Sequence, residues 1–236
     1  MHAGHPPLDV VLPVHNEAGT IEAVVRGLLV ELCQYVEPRL VICEDGSSDN
    51  TPAILCRLAT EAPIHLITGP ERKGYSPALI EGLRATRTDQ VLALDADGQC
   101  DPKDFPAFWS RRKAADIILG WRQSRADSLP RRLASRSFEV LYRSLFHAPV
   151  HDPSCPYALI QRAAIVPLLE RMGLLEFGFW WELIARAQRS GLSIVEVPIH
   201  HRPRAAGSTR VFALRKMPLL AASHLAGLIR LWCDAR

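Results

Sequence analysis

Short aliphatic segments that alternate with helical patterns limit what this chain can fold into more than any other feature of the sequence. Strands of this kind, apolar on both sides and separated by helices, are typical of a parallel sheet with helices on both faces. We therefore predict an α/β domain in which ligands bind beyond the carboxyl ends of the strands. The predicted strands are Leu8 to Val14, Arg39 to Cys43, Ile64 to Thr68, Val91 to Leu94, Ile117 to Gly120 and Ser193 to Val197. The predicted helices lie near Thr20 to Cys33, Thr51 to Thr60, Ser76 to Thr86, Ala163 to Arg171 and Trp180 to Ser190, with one more at the end.

The composition excludes several classes of protein. The chain has 236 residues, 48% of them hydrophobic, and its 28 basic residues nearly balance its 25 acidic ones. A net charge of +3 argues against a nucleic-acid binder that relies on bulk charge. Six cysteines without a C-x-x-C pair argue against a zinc site or a disulfide framework and favour the reducing cytosol. The sequence has no apolar run of about 18 residues and no signal-like N-terminus, so we expect a cytoplasmic protein.

Polar motifs follow three of the predicted strands. The first strand leads into LPVHNEAGT, the second into CEDGSSDNT and the fourth into LDADGQCDP. In a parallel sheet these strand ends share one edge, where crowded carboxylates need a cation or hydrogen-bond donors. A divalent metal held by Asp97 and Gln99, with a diphosphate on its open positions, satisfies that need. Glu44 or Asp45 can then accept hydrogen bonds from a base or a ribose.

Each motif also has a simpler explanation or a rival. EDGSSDNT can be a turn in which Asp49 or Asn50 caps the next helix. DADGQCD resembles the start of a calcium loop, but its glycine is misplaced and Pro106 stands where a glutamate is needed. No G-x-G-x-x-G follows the first strand, which disfavours a dinucleotide-dependent dehydrogenase.

Taken together and in order, the motifs resemble glycosyltransferase family 2, the inverting enzymes with a GT-A fold. LPVHNE resembles P-x-Y-N-E, with His15 for tyrosine, and EDGSSDNT resembles D-D-G-S-x-D-x-T, with Glu44 for the first aspartate. RKGYSPALIEGL resembles the family's G-x-x-x-A-x-x-x-G helix start. LDADGQCDP, GWR and EVPIHHRPRAAGSTR resemble motifs of the polyprenyl-phosphate branch, the dolichyl-phosphate mannosyltransferase-like enzymes. The resemblance runs from about Val10 to Arg210.

The resemblance implies a set of functional residues. It implies that Asp97 and Gln99 bind Mg²⁺ or Mn²⁺ and that the donor is GDP-mannose or a UDP-sugar, with the base left open. Arg122 and Arg204 are implied as cations for the diphosphate or for an acceptor phosphate. The other residues implied around the nucleotide are Pro13, His15, Glu17, Glu44, Asp45, Asp95, Ala96 and Arg210.

The nature of the acceptor decides which further groups the chemistry needs. A phosphate monoester is already an anion near neutral pH, with a second pKa of about 6, so it needs positive charge rather than a base. The stretch from Arg111 to Arg143, with nine basic and three acidic residues, suits such an acceptor; a solvated helix face is the alternative. A sugar hydroxyl needs a general base, for which Asp152 and Glu182 are candidates. Favourable interaction with a helix dipole is a competing explanation for Glu182.

The C-terminal segment is predicted to be an amphipathic helix. We divide the chain into a GT-A catalytic domain over residues 1–210 and this helix over 211–236. An apolar stripe on such a helix packs on the parent domain or on a second subunit, or lies on an anionic membrane. The stripe consists of Leu225, Leu228, Ile229 and Trp232.

The whole pattern predicts a metal-dependent inverting glycosyltransferase that moves a sugar from a nucleotide-diphosphate sugar to a polyprenyl phosphate. The same donor chemistry on a saccharide or another hydroxyl acceptor is the main alternative, and a non-catalytic protein that binds nucleotide sugars is a further one. We expect no nucleic-acid partner, and we leave open a homodimer and a peripheral contact with the cytoplasmic face of the membrane. The residues expected to serve the reaction are Asp97, Arg122, Asp152, Glu182 and Arg204.

Overall fold

In the computed structural model, the described residues form one seven-stranded sheet. The structure describes residues 4–69, 71–123, 140, 142–146, 150–175, 178–203 and 217–234. The strand order is β3-β2-β1-β4-β6-β5-β7, and every strand runs parallel to the others except β6. The predicted α/β class with a mostly parallel sheet is therefore confirmed. The strands are β1 Pro7–Val14, β2 Glu37–Glu44, β3 Ile64–Thr68, β4 Gln90–Leu94, β5 Ile117–Arg122, β6 Tyr157–Gln161 and β7 Ile194–Ile199.

Seven helices of the described residues connect and cover these strands. They are α1 Ile21–Leu32, α2 Thr51–Glu61, α3 Tyr75–Arg84, α4 Phe105–Arg111, α5 Arg162–Leu169, α6 Phe179–Arg189 and α7 Met217–Asp234. A short 3₁₀ turn, Pro102–Asp104, precedes α4. Helix α4 is not among the predicted helices, because its seven residues are too few to show a helical period and a proline occupies its first turn.

The antiparallel strand β6 was also missed. It lies in the middle of the sheet, paired with β4 on one side and β5 on the other. Its sequence, YALIQ, follows Pro156 and is only five residues long, so no local pattern distinguished it from a loop. Its pairing with two strands that are distant in sequence makes it a strand.

The core of the domain lies on both faces of the sheet. Val10, Val11 and Leu12 of β1 are all fully buried, although successive strand residues point to opposite faces. On one face, α3 approaches so closely that a Cβ at Gly82 would lie 2.6 Å from the Val11 side chain and 2.7 Å from Cys43 Sγ. The glycine at this position therefore permits close packing of the helix on β1 and β2.

The end of the C-terminal helix α7 packs on the domain. Leu228 and Leu231 are fully buried, whereas Ile229 is 51% exposed. Of the predicted stripe, Ile229 therefore does not take part in this packing, because the contacting surface is rotated toward Leu231 on the helix. The side chain of Leu225 lies outside the described residues. Gly227 faces Leu175, and a Cβ there would come within 2.2 Å of it.

The described arginines at the start of the basic stretch between Arg111 and Arg143 lie at two different edges of the sheet. Helix α4 leads from the carboxyl end of β4 back to the amino end of β5, so Arg111 and Arg112 lie at the edge opposite the strand-end motifs. The Arg112 guanidinium lies 4.6 Å from the centre of the Trp109 ring. Arg122, in contrast, is the last residue of β5. Arg111 and Arg112 therefore lie at the other edge of the sheet from Arg122, and Arg125, Arg131, Arg132 and Arg136 lie outside the described residues.

No helix of the part of the chain that the structure describes is long and apolar enough to cross a membrane. All six cysteines are free thiols.

Candidate nucleotide and metal site

The sheet brings three polar strand ends together at one edge. β1 lies between β2 and β4, with Val14 in register with Glu44. The loops after these three strands therefore start side by side. This is the arrangement that the alternation of strands and helices predicts, and all further contacts of the site are built on it.

The loops after β1 and β2 are joined by Asn16 and His15. Asn16 adopts a left-handed conformation with φ of 57°, and its side-chain oxygen accepts a hydrogen bond from the Ser48 amide at 2.8 Å. His15 Nδ1 donates to the Asp45 carbonyl at 2.8 Å, and its Nε2 accepts from Asn16 Nδ2 at 3.1 Å. Because a carbonyl can only accept, Nδ1 is the donor of the first bond, and the two bonds together fix the orientation of the His15 ring.

Asp45 is held by the segment that precedes α3. It is 5% exposed, and its carboxylate accepts hydrogen bonds from the amides of Lys73 at 2.6 Å and Gly74 at 3.0 Å. The Arg72 guanidinium lies 3.8 Å away. Gly46 makes this contact possible, because it has φ of +61° and a Cβ there would lie 2.7 Å from the Arg72 amide nitrogen. Asp45 is thus a fixed, buried acceptor beside the strand ends.

Three more of the predicted nucleotide residues have local roles in the loops. The Glu44 carboxylate accepts from the Ser47 amide at 2.6 Å and so closes the turn after β2. Glu17 accepts from the Thr20 hydroxyl at 2.8 Å at the start of α1. Pro13 is in register with Cys43 on the neighbouring strand. All three lie at the shared edge.

The loop after β4 carries the predicted metal ligands. Asp97 Oδ1 accepts from the Gln99 amide at 3.0 Å, and Oδ2 accepts no hydrogen bond from any described residue. Gln99 donates its side-chain amide to the Arg202 carbonyl at 3.1 Å, which orients the Gln99 side chain. Ala96 is buried. Within the described residues no cluster of three or more His, Cys, Asp or Glu forms a complete metal cage.

This donor set fits Mg²⁺ or Mn²⁺ bound partly by the substrate. Such ions prefer oxygen ligands, and Mg²⁺ is commonly held by one or two carboxylates with phosphates and waters completing its shell. Asp97 and Gln99 each provide an oxygen donor at the strand-end edge. The residues present therefore suit a metal that arrives together with a diphosphate.

Asp95, the first aspartate of the same loop, is held by aromatic residues. The Tyr75 hydroxyl donates to Asp95 Oδ1 at 2.7 Å, and the Trp180 indole nitrogen donates to the Tyr75 oxygen at 2.8 Å. Neither Tyr75 nor Trp180 was predicted as a site residue. A tyrosine at a helix start and a tryptophan in an aromatic cluster carry no sequence signal for this contact.

The end of β7 is tied to the metal loop. The Arg202 amide donates to the Gln99 carbonyl at 2.8 Å, and Cys100 and His201 form an isolated bridge. The Arg202 guanidinium also pairs with Asp101. Two predicted cations, Arg204 and Arg210, follow shortly afterwards in the chain and lie outside the described residues.

Arg122 and Asp152 form a buried ion pair. Arg122 Nε and Nη2 donate to the Asp152 carboxylate at 2.7 and 3.0 Å, and Nη2 also donates to the Ser154 hydroxyl at 2.8 Å. Burial alone lowers the pKa of Arg122, but the Asp152 hydrogen bonds and charge outweigh it, so the pKa is raised. Asp152, predicted as a candidate base, is therefore the counter-ion of Arg122 in this structure.

Arg122 lies at the same edge of the sheet as the acidic loop after β4. Strands β4 and β5 both pair with β6 in the antiparallel sense, so they run parallel to each other and their carboxyl ends share this edge. Only β6 lies between the strand that leads to the predicted metal ligands and the strand that ends at Arg122.

Glu182, the second candidate base, is bound by groups of α6 and of the loop before it. It is fully buried, pairs with Arg186 at 2.9 Å, and accepts from the amides of Gly173 and Leu175 at 3.1 Å. These contacts tie α6 to the loop that follows α5. In the described part of the chain Glu182 makes no contact with the strand-end residues, so the structure gives it a packing role.

Comparison with known proteins identifies the family to which this chain belongs. A sequence profile described as "Glycosyl transferase family 2" matches residues 9–168. The chain is 31% identical over 222 residues to glycosyltransferase AglD of Haloferax volcanii, covering 88% of this chain and 35% of that protein. It is 26% identical over 220 residues to an undecaprenyl-phosphate 4-deoxy-4-formamido-L-arabinose transferase of Salmonella choleraesuis, covering 90% of this chain and 65% of that protein. The chain thus spans less than two thirds of the length of either relative.

Solved structures share the fold. Glucosyl-3-phosphoglycerate synthase of Mycobacterium tuberculosis in complex with UDP aligns with a TM-score of 0.69 at 21% identity, covering 96% of this chain and 80% of that one. The same enzyme with Mn²⁺, UDP-glucose and glycerol 3-phosphate aligns with a TM-score of 0.68 at 20% identity, over 96% of this chain and 80% of that one. The profile match covers well over half of the sequence, and the chain belongs to glycosyl transferase family 2.

Proposed function

We propose that this chain is a metal-dependent inverting glycosyltransferase that moves a sugar from GDP-mannose or a UDP-sugar to a polyprenyl phosphate. The observation that carries the choice of acceptor is the pairing of both candidate bases with arginines: Asp152 with Arg122 and Glu182 with Arg186. A hydroxyl acceptor needs a free base, whereas a phosphate is already nucleophilic near neutral pH. The arrangement thus favours an acceptor that arrives as an anion.

On the donor side, the proposal assigns the strand-end edge to the nucleotide diphosphate. Asp97 and Gln99 would hold Mg²⁺ or Mn²⁺, which supplies positive charge to the leaving diphosphate. Asp45, His15 and Asp95 are preorganised by their hydrogen bonds and line the nucleoside side of the pocket. Such fixed polar groups stabilise developing charge without having to reorganise during the reaction.

On the acceptor side, Arg122 is the described cation best placed for a phosphate. Its Nε and Nη2 donate to Asp152 and Ser154, and Nη1 donates to none of the residues that the structure describes, so we assign its N–H groups to the ligand. Arginine is suited to this because its guanidinium presents several donors in a fixed plane. Arg204 and Arg210 are proposed as further cations on the strength of the sequence motif.

The names of the relatives support a lipid-linked acceptor. The Salmonella protein is called an undecaprenyl-phosphate transferase, and the Mycobacterium structure contains Mn²⁺ and UDP-glucose. We extend to this chain only the shared chemistry, a metal-assisted sugar donor and a phosphate-bearing acceptor. An acceptor of this kind lies in a membrane, so the proposal requires a peripheral contact with the bilayer surface.

Binding and transfer measured separately test the proposal. Calorimetry with GDP and with UDP, each with Mn²⁺, should show metal-dependent binding of one of them; binding of neither would refute the catalytic proposal. Transfer of radiolabelled sugar to undecaprenyl phosphate should follow. Transfer to a glycan but not to the lipid would favour the hydroxyl-acceptor alternative, and binding without any transfer would favour a non-catalytic protein.

Asp97→Ala tests the metal assignment directly. We expect the variant to lose both transfer and Mn²⁺-dependent nucleotide binding while it unfolds at the wild-type temperature, because its described hydrogen bond is confined to its own loop. Asp116→Ala is the matched control. Asp116 lies at the opposite edge of the sheet, where it binds Ser193, so its loss should leave nucleotide binding unchanged. Full activity of Asp97→Ala would show that the metal is held elsewhere.

A further inference from the structure

The hydroxyl of Tyr75 lies between helix α6 and the loop after β4, which carries the predicted metal ligands. Tyr75 is the first residue of α3, and its oxygen lies 2.7 Å from Asp95 Oδ1 and 2.8 Å from the indole nitrogen of Trp180. Trp180 is 5% exposed, so its position is fixed by packing. The Tyr75 hydroxyl therefore has one partner on the strand-end edge and one on the buried side of helix α6.

The direction of both hydrogen bonds follows from the chemistry of the groups. An indole N–H can only donate, so the Tyr75 oxygen accepts from Trp180 and its own proton is directed to Asp95. The bond to the carboxylate is charge-assisted and is accordingly short. Burial, followed by the Asp95 charge, raises the pKa of Tyr75 well above its usual value, so the hydroxyl keeps its proton as a donor throughout the working pH range.

The segment that contains Tyr75 also holds Asp45, the buried aspartate at the end of β2. The amides of Lys73 and Gly74 bind the Asp45 carboxylate, and the next residue in the chain binds Asp95. Three consecutive residues thus hold one carboxylate from the end of β2 and one from the end of β4. A single short segment can set the spacing between these two acceptors.

We propose that Tyr75 is a positioning residue that orients Asp95 for the nucleotide-sugar donor, with Trp180 fixing the direction of the Tyr75 hydroxyl. The inference rests on the proposed function, which places Asp95 against the nucleoside or its ribose. Preorganisation of this kind raises affinity because the carboxylate does not have to be ordered when the ligand binds. Without the hydroxyl, the carboxylate loses a short hydrogen bond that orients it, and donor binding weakens.

A purely structural role for the hydroxyl would give a different result. Helix α3 is held to this region by another contact as well, since the Ser76 hydroxyl donates at 3.0 Å to the carbonyl of Leu175, in the loop that precedes α6. If Tyr75 only strengthened this packing, its loss would lower the unfolding temperature and leave nucleotide affinity unchanged. If it acts through Asp95, nucleotide affinity changes, and the change depends on the presence of Asp95.

A double-mutant cycle separates the two roles. The dissociation constant of the bound nucleoside diphosphate, UDP or GDP with Mn²⁺, is measured by calorimetry for wild type, Tyr75→Phe, Asp95→Ala and the double variant. We expect Tyr75→Phe to weaken binding about tenfold, as for the loss of a hydrogen bond to a charged group, and to have less than a roughly twofold effect once Asp95 is absent. Tyr142→Phe is the matched control, because it removes a hydroxyl that donates to the Trp181 carbonyl at 2.7 Å; its binding should match wild type.

Two results would overturn the inference. One is wild-type affinity in Tyr75→Phe, and the other is the same loss of affinity with and without Asp95. If Tyr75→Phe does not fold, Trp180→Phe provides the same comparison, because it keeps a ring and removes the indole donor; we expect roughly threefold weaker binding from it, and wild-type affinity would count against the inference. A wild-type protein that binds neither nucleotide would instead refute the proposed function, which keeps the two failures distinct.

Discussion

The ion pair between Arg122 and Asp152 offers a quantitative test of how the candidate site is held together. Their side chains are 13% and 3% exposed and are joined by two hydrogen bonds of 2.7 and 3.0 Å. Asp152→Ala removes the carboxylate and leaves a guanidinium buried without its counter-ion. The perturbation is therefore the loss of one partner of a buried pair, not the loss of an exposed charge.

The expected magnitude follows from this geometry. Removing one partner of a buried ion pair costs about 3–5 kcal/mol, which agrees with two hydrogen bonds to charged groups at about 1.5–3 kcal/mol each. For a chain of this size each kcal/mol lowers the unfolding temperature by about 2–4 °C. Asp152→Ala should thus unfold roughly 6–20 °C below wild type.

The assay is thermal and urea unfolding of three variants: Arg122→Ala, Asp152→Ala and the double variant. We expect the double variant to lose about 2 kcal/mol less free energy of unfolding than the two single variants lose together, because each single change leaves the other charge buried without its partner. Glu61→Ala is the control, since Glu61 also binds arginines at 2.9 and 3.3 Å but is exposed; it should cost less than about 1 kcal/mol. Additivity of the two single effects to within about 0.5 kcal/mol would refute the reasoning.

Two further predictions concern the loops and the pH dependence of stability. Gly46→Ala should destabilise the fold and weaken nucleotide binding, because its Cβ would lie 2.7 Å from the Arg72 amide nitrogen. Gly191 also has a positive φ, but a Cβ there would have no neighbour within 4 Å. Gly191→Ala should therefore lower the free energy of unfolding by only about 1–2 kcal/mol of left-handed strain and leave nucleotide binding intact. Equal behaviour of the two variants would contradict this. Burial of Asp9 raises the pKa of its carboxyl, but hydrogen bonds that include those from Arg39 outweigh burial, so the pKa in the folded protein is lowered. The ionised Asp9 carboxylate therefore stabilises the fold fully above its unfolded-state pKa of about 3.9. This stabilisation is lost as the pH falls through the lower pKa of the folded state. In urea unfolding from pH 7 to pH 2 the stability gap between wild type and Asp9→Asn should therefore narrow with acid; a constant gap would show that the lowered pKa of Asp9 does not stabilise the fold.

Sequence alone was sufficient for the parallel part of the sheet and for the strand-end motifs. Aliphatic strands and polar loop starts are local patterns, and the carboxyl ends of parallel strands meet at one edge whatever the rest of the chain does. For this reason Asp45, Asp97 and Gln99 could be predicted as site residues from the sequence. The family profile agrees with those motifs.

Tertiary structure decided the partners of these residues. β6 is a strand because two distant strands flank it, and the contact face of α7 includes Leu231 because of the surface it meets. No sequence spacing relates Asp152 to Arg122, Glu182 to the Gly173 amide, or Tyr75 to Asp95, since each contact joins separate elements. Whether a carboxylate is free to act as a base or is neutralised by an arginine depends on such contacts. The sequence therefore determined which chemical groups the chain carries at its strand ends, and packing determined which of them are held, paired or left to meet a ligand.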